Sequence, residues 1–529
     1  MVVLTYGEFS SFPGVDFYRR PDTEALESIN REKTQTLERT VNNHTEFDHH
    51  HQAPMFFNTW MPVAAAAVLL FTSNVQGSTA ASHRPTVTLD SGVVEGTLNI
   101  KNTVATYRGI PYAAPPVGPL RFKNPSPPKS WTGTRAAYYD GAGCPQACKL
   151  PAAACPPVQD ESCLFLNVFA PVTSAKQTTT ELLPVMFWIH GGDFYQGYGG
   201  GILYDGTSLA DHENVIVVAL NYRLGALGFL YSGNDNGQFT GNYGILDQQA
   251  ALGWVQRNAR AFGGDPAQVT IFGQSAGGDS VGTLLTMPSS KGLFSKAIMQ
   301  SFPVGLPFRT SEKFPSFTKV VARDSGCRDS PYEACMMQLT WKEILAGAVQ
   351  AESNIVANID SFLNLFQPFT PTVGTPDLAL QPFQSFEQGK VLDVPLVMGS
   401  VRQEGMIFMY EAFKKNLIRT EEDGLLAVIY GLQNVEKILK EYPRNRSSGS
   451  LDGKDMKNHT APIVTDSLFK CPIRKVLLTL SAMEKNGTRQ SKGYNYHFDH
   501  VLSFGSSFWL PTSPVCVRRK RRGYFERAW

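Results

Sequence analysis

The sequence predicts an α/β fold, a large mixed and mostly parallel central sheet flanked by helices. Three observations carry this. Leu183–Ile189, Val215–Leu220, Val269–Gly273 and Val394–Met398 are short, nearly unbroken apolar runs, as expected of strands buried on both faces. A helical rhythm over residues 246–262 separates the second run from the third. Glycine-rich turns follow the runs, which is the punctuation of a doubly wound sheet.

In chain order, residues 1–54 come first, with five basic and nine acidic side chains and a histidine run at His49–His51. They have too little apolar surface to offset the entropy of ordering, so an unpacked polar extension is expected. Residues 55–81 hold an apolar core, Ala64–Phe71, followed by small and polar residues. That length suits a signal peptide read from a start at Met55, or a signal anchor if translation starts at Met1. Either form delivers the rest across a membrane, as a secreted or a single-pass anchored protein. Val94–Tyr107 alternates as hairpin strands do. Seven prolines between Pro111 and Trp131 then demand an irregular wrap. Residues 305–390 are more helical and less regular, as a covering layer would be. Tyr494–Phe498 reads as a last strand.

With 48 basic and 46 acidic residues in 529, the chain is not a default nucleic-acid binder. The eight cysteines lack the histidine interleaving of zinc sites, and their close spacing suits disulfides in an oxidising compartment. Asn445, Asn458 and Asn486 are glycosylation sequons in polar, loop-like context.

The chemistry centres on Gly273-Gln274-Ser275-Ala276-Gly277, placed between a strand and a helix expected over Ser280–Met287. Such a turn holds a serine hydroxyl exposed as a nucleophile. Gly191-Gly192-Asp193, closing the first apolar run, and the N–H of Ala276 form the expected oxyanion site. Glu404, just past the fourth run, is the candidate acid.

Tyr107–Ala113, Glu161–Val168, Asn221–Gly225, Gly241–Gly244, Ala261–Pro266 and the serine turn together resemble the type-B carboxylesterase family of the α/β-hydrolases. The resemblance spans about residues 87–505, and the domain is read as 82–517. It implies an α/β-hydrolase fold and hydrolysis of a small carboxylic ester through an acyl-serine, with no metal and no organic cofactor. It also implies disulfides Cys144–Cys163 and Cys327–Cys335, to which Cys148–Cys155 is added by elimination.

Three departures stand out. Gln274 replaces the family's usual glutamate, and the Cys144–Cys163 loop lacks a cation-binding tryptophan. Both losses favour neutral or apolar esters over choline esters. Asp193 takes the place of a third glycine, where its charge would oppose a developing oxyanion unless the side chain turns away or orients a water. Finally, no histidine follows His500, although the family's base is expected after Cys516. Residues 518–529 instead carry six basic and one acidic side chain, an off-family tail.

The carboxyl-terminal part therefore reads as truncated or altered, which also leaves the oligomeric state open. The expectation is an ester hydrolase impaired in this exact chain. The competing readings are a non-catalytic adhesion or assembly protein, a base supplied by His497 or His500, and a basic tail that serves as a binding patch.

Overall fold

The computed structural model describes residues 84–172, 181–234, 237–329, 331–353, 367–444 and 455–500. The expected polar extension 1–54, the apolar segment 55–81, Asn445, Cys516 and the basic tail 518–529 lie outside the described residues.

Twelve strands are described: β1 (Thr86–Leu89), β2 (Gly92–Glu95), β3 (Thr97–Leu98), β4 (Val104–Pro111), β5 (Thr134–Ala136), β6 (Phe165–Pro171), β7 (Leu183–Ile189), β8 (Ile216–Leu220), β9 (Gly264–Gln274), β10 (Lys296–Gln300), β11 (Leu396–Val401) and β12 (Gly493–Phe498). Nine of them form one sheet in the order β12-β11-β10-β9-β7-β8-β6-β4-β3, and β1-β2-β5 form a small second sheet. From β8 through β12 every neighbour is parallel, whereas the β3, β4, β6 end is antiparallel. The sheet is therefore mixed and mostly parallel, and helices pack against it.

The four apolar runs are β7, β8, β9 and β11, and they are mostly buried because helices cover both faces. Sequence reading missed β10: its buried Ala297 and Met299 alternate with half-buried Lys296, Ile298 and Gln300, a pattern too short to stand out. It also began the helix after the serine turn too late. That helix spans Ala276–Thr286, and its first turn, Ala276-Gly277-Gly278-Asp279, is poor in helix formers. The rhythm over 246–262 is a helix, Tyr243–Asn258, extended by a 3-10 turn, Ala259–Phe262, and stopped by Gly263 at φ 82°. Asn458, expected in a loop, lies exposed in the first turn of helix Lys457–Thr465.

Disulfides join Cys144 to Cys163, Cys148 to Cys155 and Cys327 to Cys335, and Cys471 is free. Polar staples hold the loops that frame the sheet's edge. Arg223 and Asp247, both buried, pair through Nε–Oδ2 at 2.8 Å and Nη2–Oδ1 at 2.7 Å. The Asn221 side chain donates to the carbonyls of Ala142 and Cys163 and accepts from the N–H of Gly199, tying the first disulfide loop to the glycine loop. Among the described residues, no helix is long and apolar enough to cross a membrane.

Candidate active site

The serine turn, the glycine loop and Glu404 follow the carboxyl ends of the parallel strands β9, β7 and β11, where a doubly wound sheet gathers its ligands. β9 ends at Gln274, and Ser275 follows with φ 57° and ψ −125°, outside the regions an ordinary residue occupies. This geometry needs both flanking glycines. A Cβ on Gly277 would collide with the carbonyl of Ile189, and one on Gly273 would meet the Gly277 carbonyl carbon at 2.5 Å. Ser275 is the N-cap of helix Ala276–Thr286, yet its side chain makes no cap hydrogen bond. A serine at that position normally bonds the helix's free N–H groups. Here no such bond forms, and the residue stays only half-buried.

The loop after β7 lies against this turn. Gly191 abuts the carbonyl of Gln274, and a Cβ on it would stand 3.2 Å from Ser275 Cβ. Gly192 adopts φ 114°, followed by Asp193 at 53° and Phe194 at 60°. The Gly192 carbonyl accepts from the N–H groups of Tyr195 and Gln196, which fixes the bend. The expected oxyanion donors, Gly192, Asp193 and Ala276, thus sit on two segments in van der Waals contact. Desolvation by the surrounding protein pushes the Asp193 carboxyl up to about 7, with Glu411 adding repulsion. That shift reduces the charge which Asp193 would set against an oxyanion.

Glu404 lies three residues beyond β11 and is 8% exposed. Its Oε1 accepts from the Val401 N–H at 2.7 Å, and the Ser301 hydroxyl also bonds the carboxyl. Burial raises its pKa to about 7 against those bonds and the charge of Lys470. Ser301 directly follows Gln300, whose carbonyl accepts from the Ser275 N–H at 2.9 Å. A short covalent and hydrogen-bonded path therefore links the serine turn to the acid.

The described histidines are elsewhere. His497 is exposed on β12 and pairs in register with Ser400 on β11. The strand row through Gln274, Gln300, Gly399 and Tyr496 puts β12 three strands from β9, about 14 Å at the usual strand spacing. That is far beyond hydrogen-bond reach of Ser275. His500 is exposed two residues past the same edge strand. His459 bonds Glu422 rather than Glu404. His190 is fully buried, stacked on Tyr222 at 4.4 Å, and burial lowers its pKa to about 4.

Sequence reading passed over Ser301 and Asp279. Asp279 is 1% exposed, one turn into the nucleophile helix, and burial raises its pKa to about 8. Gln367 Nε2 donates to its Oδ2 at 3.2 Å, while Gln367 Oε1 is buried without a partner. Kept protonated by burial, Asp279 carries a donor as well as acceptors. The available signal was a single charged residue in the otherwise uncharged helix Ala276–Thr286. Among the described residues, no group of three His, Cys, Asp or Glu is placed to hold a metal ion.

A strained serine at a strand-to-helix turn, beside a glycine loop and an acid from the next-but-one strand, defines a serine hydrolase of the α/β-hydrolase class. The chain belongs to the carboxylesterase family, which it matches over residues 83–522. It is 36% identical over 431 residues to the crystal protein of Dictyostelium discoideum, covering 81% of this chain and 74% of that one. It is 40% identical over 366 residues to the para-nitrobenzyl esterase of Bacillus subtilis (strain 168), covering 68% and 71%. A solved PNB esterase structure superposes with a TM-score of 0.65 at 36% identity, covering 79% of this chain and 80% of that chain.

Proposed function

We propose that this chain carries an ester-hydrolysing site in which Ser275 is acylated, while Gly192, Asp193 and Ala276 receive the oxyanion and Glu404 is the acid of the relay. The observation that carries this is Ser275 itself, an N-cap serine that caps nothing and is held at φ 57° against the Gly191–Gly192 loop. In such a relay an imidazole takes the serine proton and the acid orients the ring. No described histidine stands between Ser275 and Glu404, so the chain as written turns over esters weakly, with Ser275 attacking at the oxyanion site unassisted by a base. Neutral or apolar esters are the proposed substrates, given Gln274 and a Cys144–Cys163 loop without tryptophan.

The test is turnover of a short-chain aryl ester by the chain and by Ser275→Ala. Slow hydrolysis lost in the variant supports the reading. Equal rates in both would refute it. The positions of His459, His497 and His500 also favour a second reading, a non-catalytic adhesion or assembly protein, which predicts no Ser275-dependent rate and binding to a partner. Three disulfides support a secretory route, with the glycan sites at Asn445, Asn458 and Asn486. Amino-terminal sequencing of secreted material, and mass spectrometry of its glycopeptides, decide both points.

A further inference from the structure

Beneath the Glu404 turn lies a charge cluster that ester hydrolysis does not use. His459, on helix Lys457–Thr465, has both ring nitrogens against acceptors: Nδ1 is 2.6 Å from Glu422 Oε1, and Nε2 is 2.9 Å from the Tyr442 carbonyl. A neutral imidazole has one N–H and can serve only one of them. Both contacts are hydrogen bonds only when the ring carries two protons. Moving a proton to Glu422 instead is opposed by its other partners. The Thr460 hydroxyl donates to Oε1 at 2.7 Å and Arg444 Nε to Oε2 at 2.8 Å. Glu422 is fully buried, which alone would raise its pKa, but the bonds from His459 and Thr460 and the charge of Arg444 leave it lowered.

This cluster sits one helix away from the acid. Gly405, the residue after Glu404, donates its N–H to Thr465 Oγ1 at 2.8 Å. The Ala461 carbonyl presses so closely on Gly405 that no side chain would fit there. Helix Lys457–Thr465 is therefore the platform on which the Glu404–Gly405 turn rests, and His459 and Thr460 tie it to helix Arg419–Tyr430 through Glu422.

We propose that doubly protonated His459 is a positioning residue for Glu404, clamping the platform helix to both Glu422 and Tyr442 and loosening it on deprotonation, when one of the two contacts is lost. The proposal rests on Glu404 being the acid of the site. The groups around the clamp are Glu422 and Asp423 on one helix, and Tyr442 and Arg444 after helix Leu432–Glu441. Asp466 bonds the Tyr442 hydroxyl, Lys470 lies near Asp466, and Lys457 and Asp455 start the platform helix. The hydrogen bond to Glu422 raises the His459 pKa against burial. The clamp is thus fully closed below the unfolded value of about 6.5 and opens as pH rises through the folded one.

The test is hydrogen exchange of the peptide containing Gly405, corrected for intrinsic rate, across pH 5–9 in the full chain. Protection should fall with rising pH, roughly tenfold for each unit by which folding raises the His459 pKa. His459→Gln should lack this protection at every pH, and His459→Arg, permanently charged, should keep it with no pH dependence. A merely structural histidine would lower protection in both variants alike and leave the wild-type profile flat. If a variant fails to fold, labelled-histidine NMR of the unaltered chain decides: a His459 midpoint that does not coincide with the Gly405 midpoint overturns the clamp. Exchange needs no ester turnover, so the clamp and the hydrolase reading fail separately.

Discussion

Replacing Asp279 by Asn should make the protein markedly more resistant to alkaline unfolding. Asp279 is 1% exposed, and burial lifts its pKa from 3.8 to about 8. Between those values the folded state holds a proton that the unfolded chain has released, so stability falls as pH rises through the window. Four units at about 1.4 kcal/mol each set a ceiling of roughly 6 kcal/mol on the cost of the ionised group. About 4 kcal/mol of it develops between pH 5 and pH 9. Asparagine never ionises, and its amide oxygen can still accept from Gln367 Nε2. The assay is urea unfolding of both proteins at the two pH values with disulfides intact. Wild type should lose several kcal/mol more than Asp279→Asn on going to pH 9. Parallel losses in the two proteins would show that Asp279 is already ionised at pH 5, and the argument for its neutral form would fall.

Gly277→Ala forces a methyl into the Ile189 carbonyl, and overpacking of that kind should cost about 3 kcal/mol in urea unfolding. Arg223→Met strands the fully buried Asp247 carboxylate and should cost about 3–5 kcal/mol by the same assay. Free imidazole should accelerate aryl-ester turnover by the chain as written. That acceleration should grow as pH rises through about 7, where Glu404 ionises and can hold an imidazolium; saturation kinetics in imidazole, absent in Ser275→Ala, is the check.

The sheet was legible because β7, β8 and β11 are mostly buried and therefore mostly apolar. β10 was not, because its half-buried Lys296 and Gln300 break the pattern. The serine turn was legible through glycines whose role is steric. Gly273 and Gly277 leave room for Ile189 and for each other, a requirement a sequence records as a spacing. Ser301 left no such trace: it reaches Glu404 only because β10 and β11 lie side by side. The Asp279–Gln367 pair and the His459–Glu422 tie are likewise long-range, 88 and 37 residues apart. Nothing local marks either partner of such a pair.

The most direct test of the site is mass spectrometry of the chain after treatment with an aryl phosphonofluoridate, with and without imidazole. A serine poised at φ 57° beside the N–H groups proposed to receive the oxyanion should form the adduct at Ser275, slowly by itself and faster with imidazole. Modification spread over surface hydroxyls, or a Ser275 left unmodified even with imidazole present, would contradict the assignment.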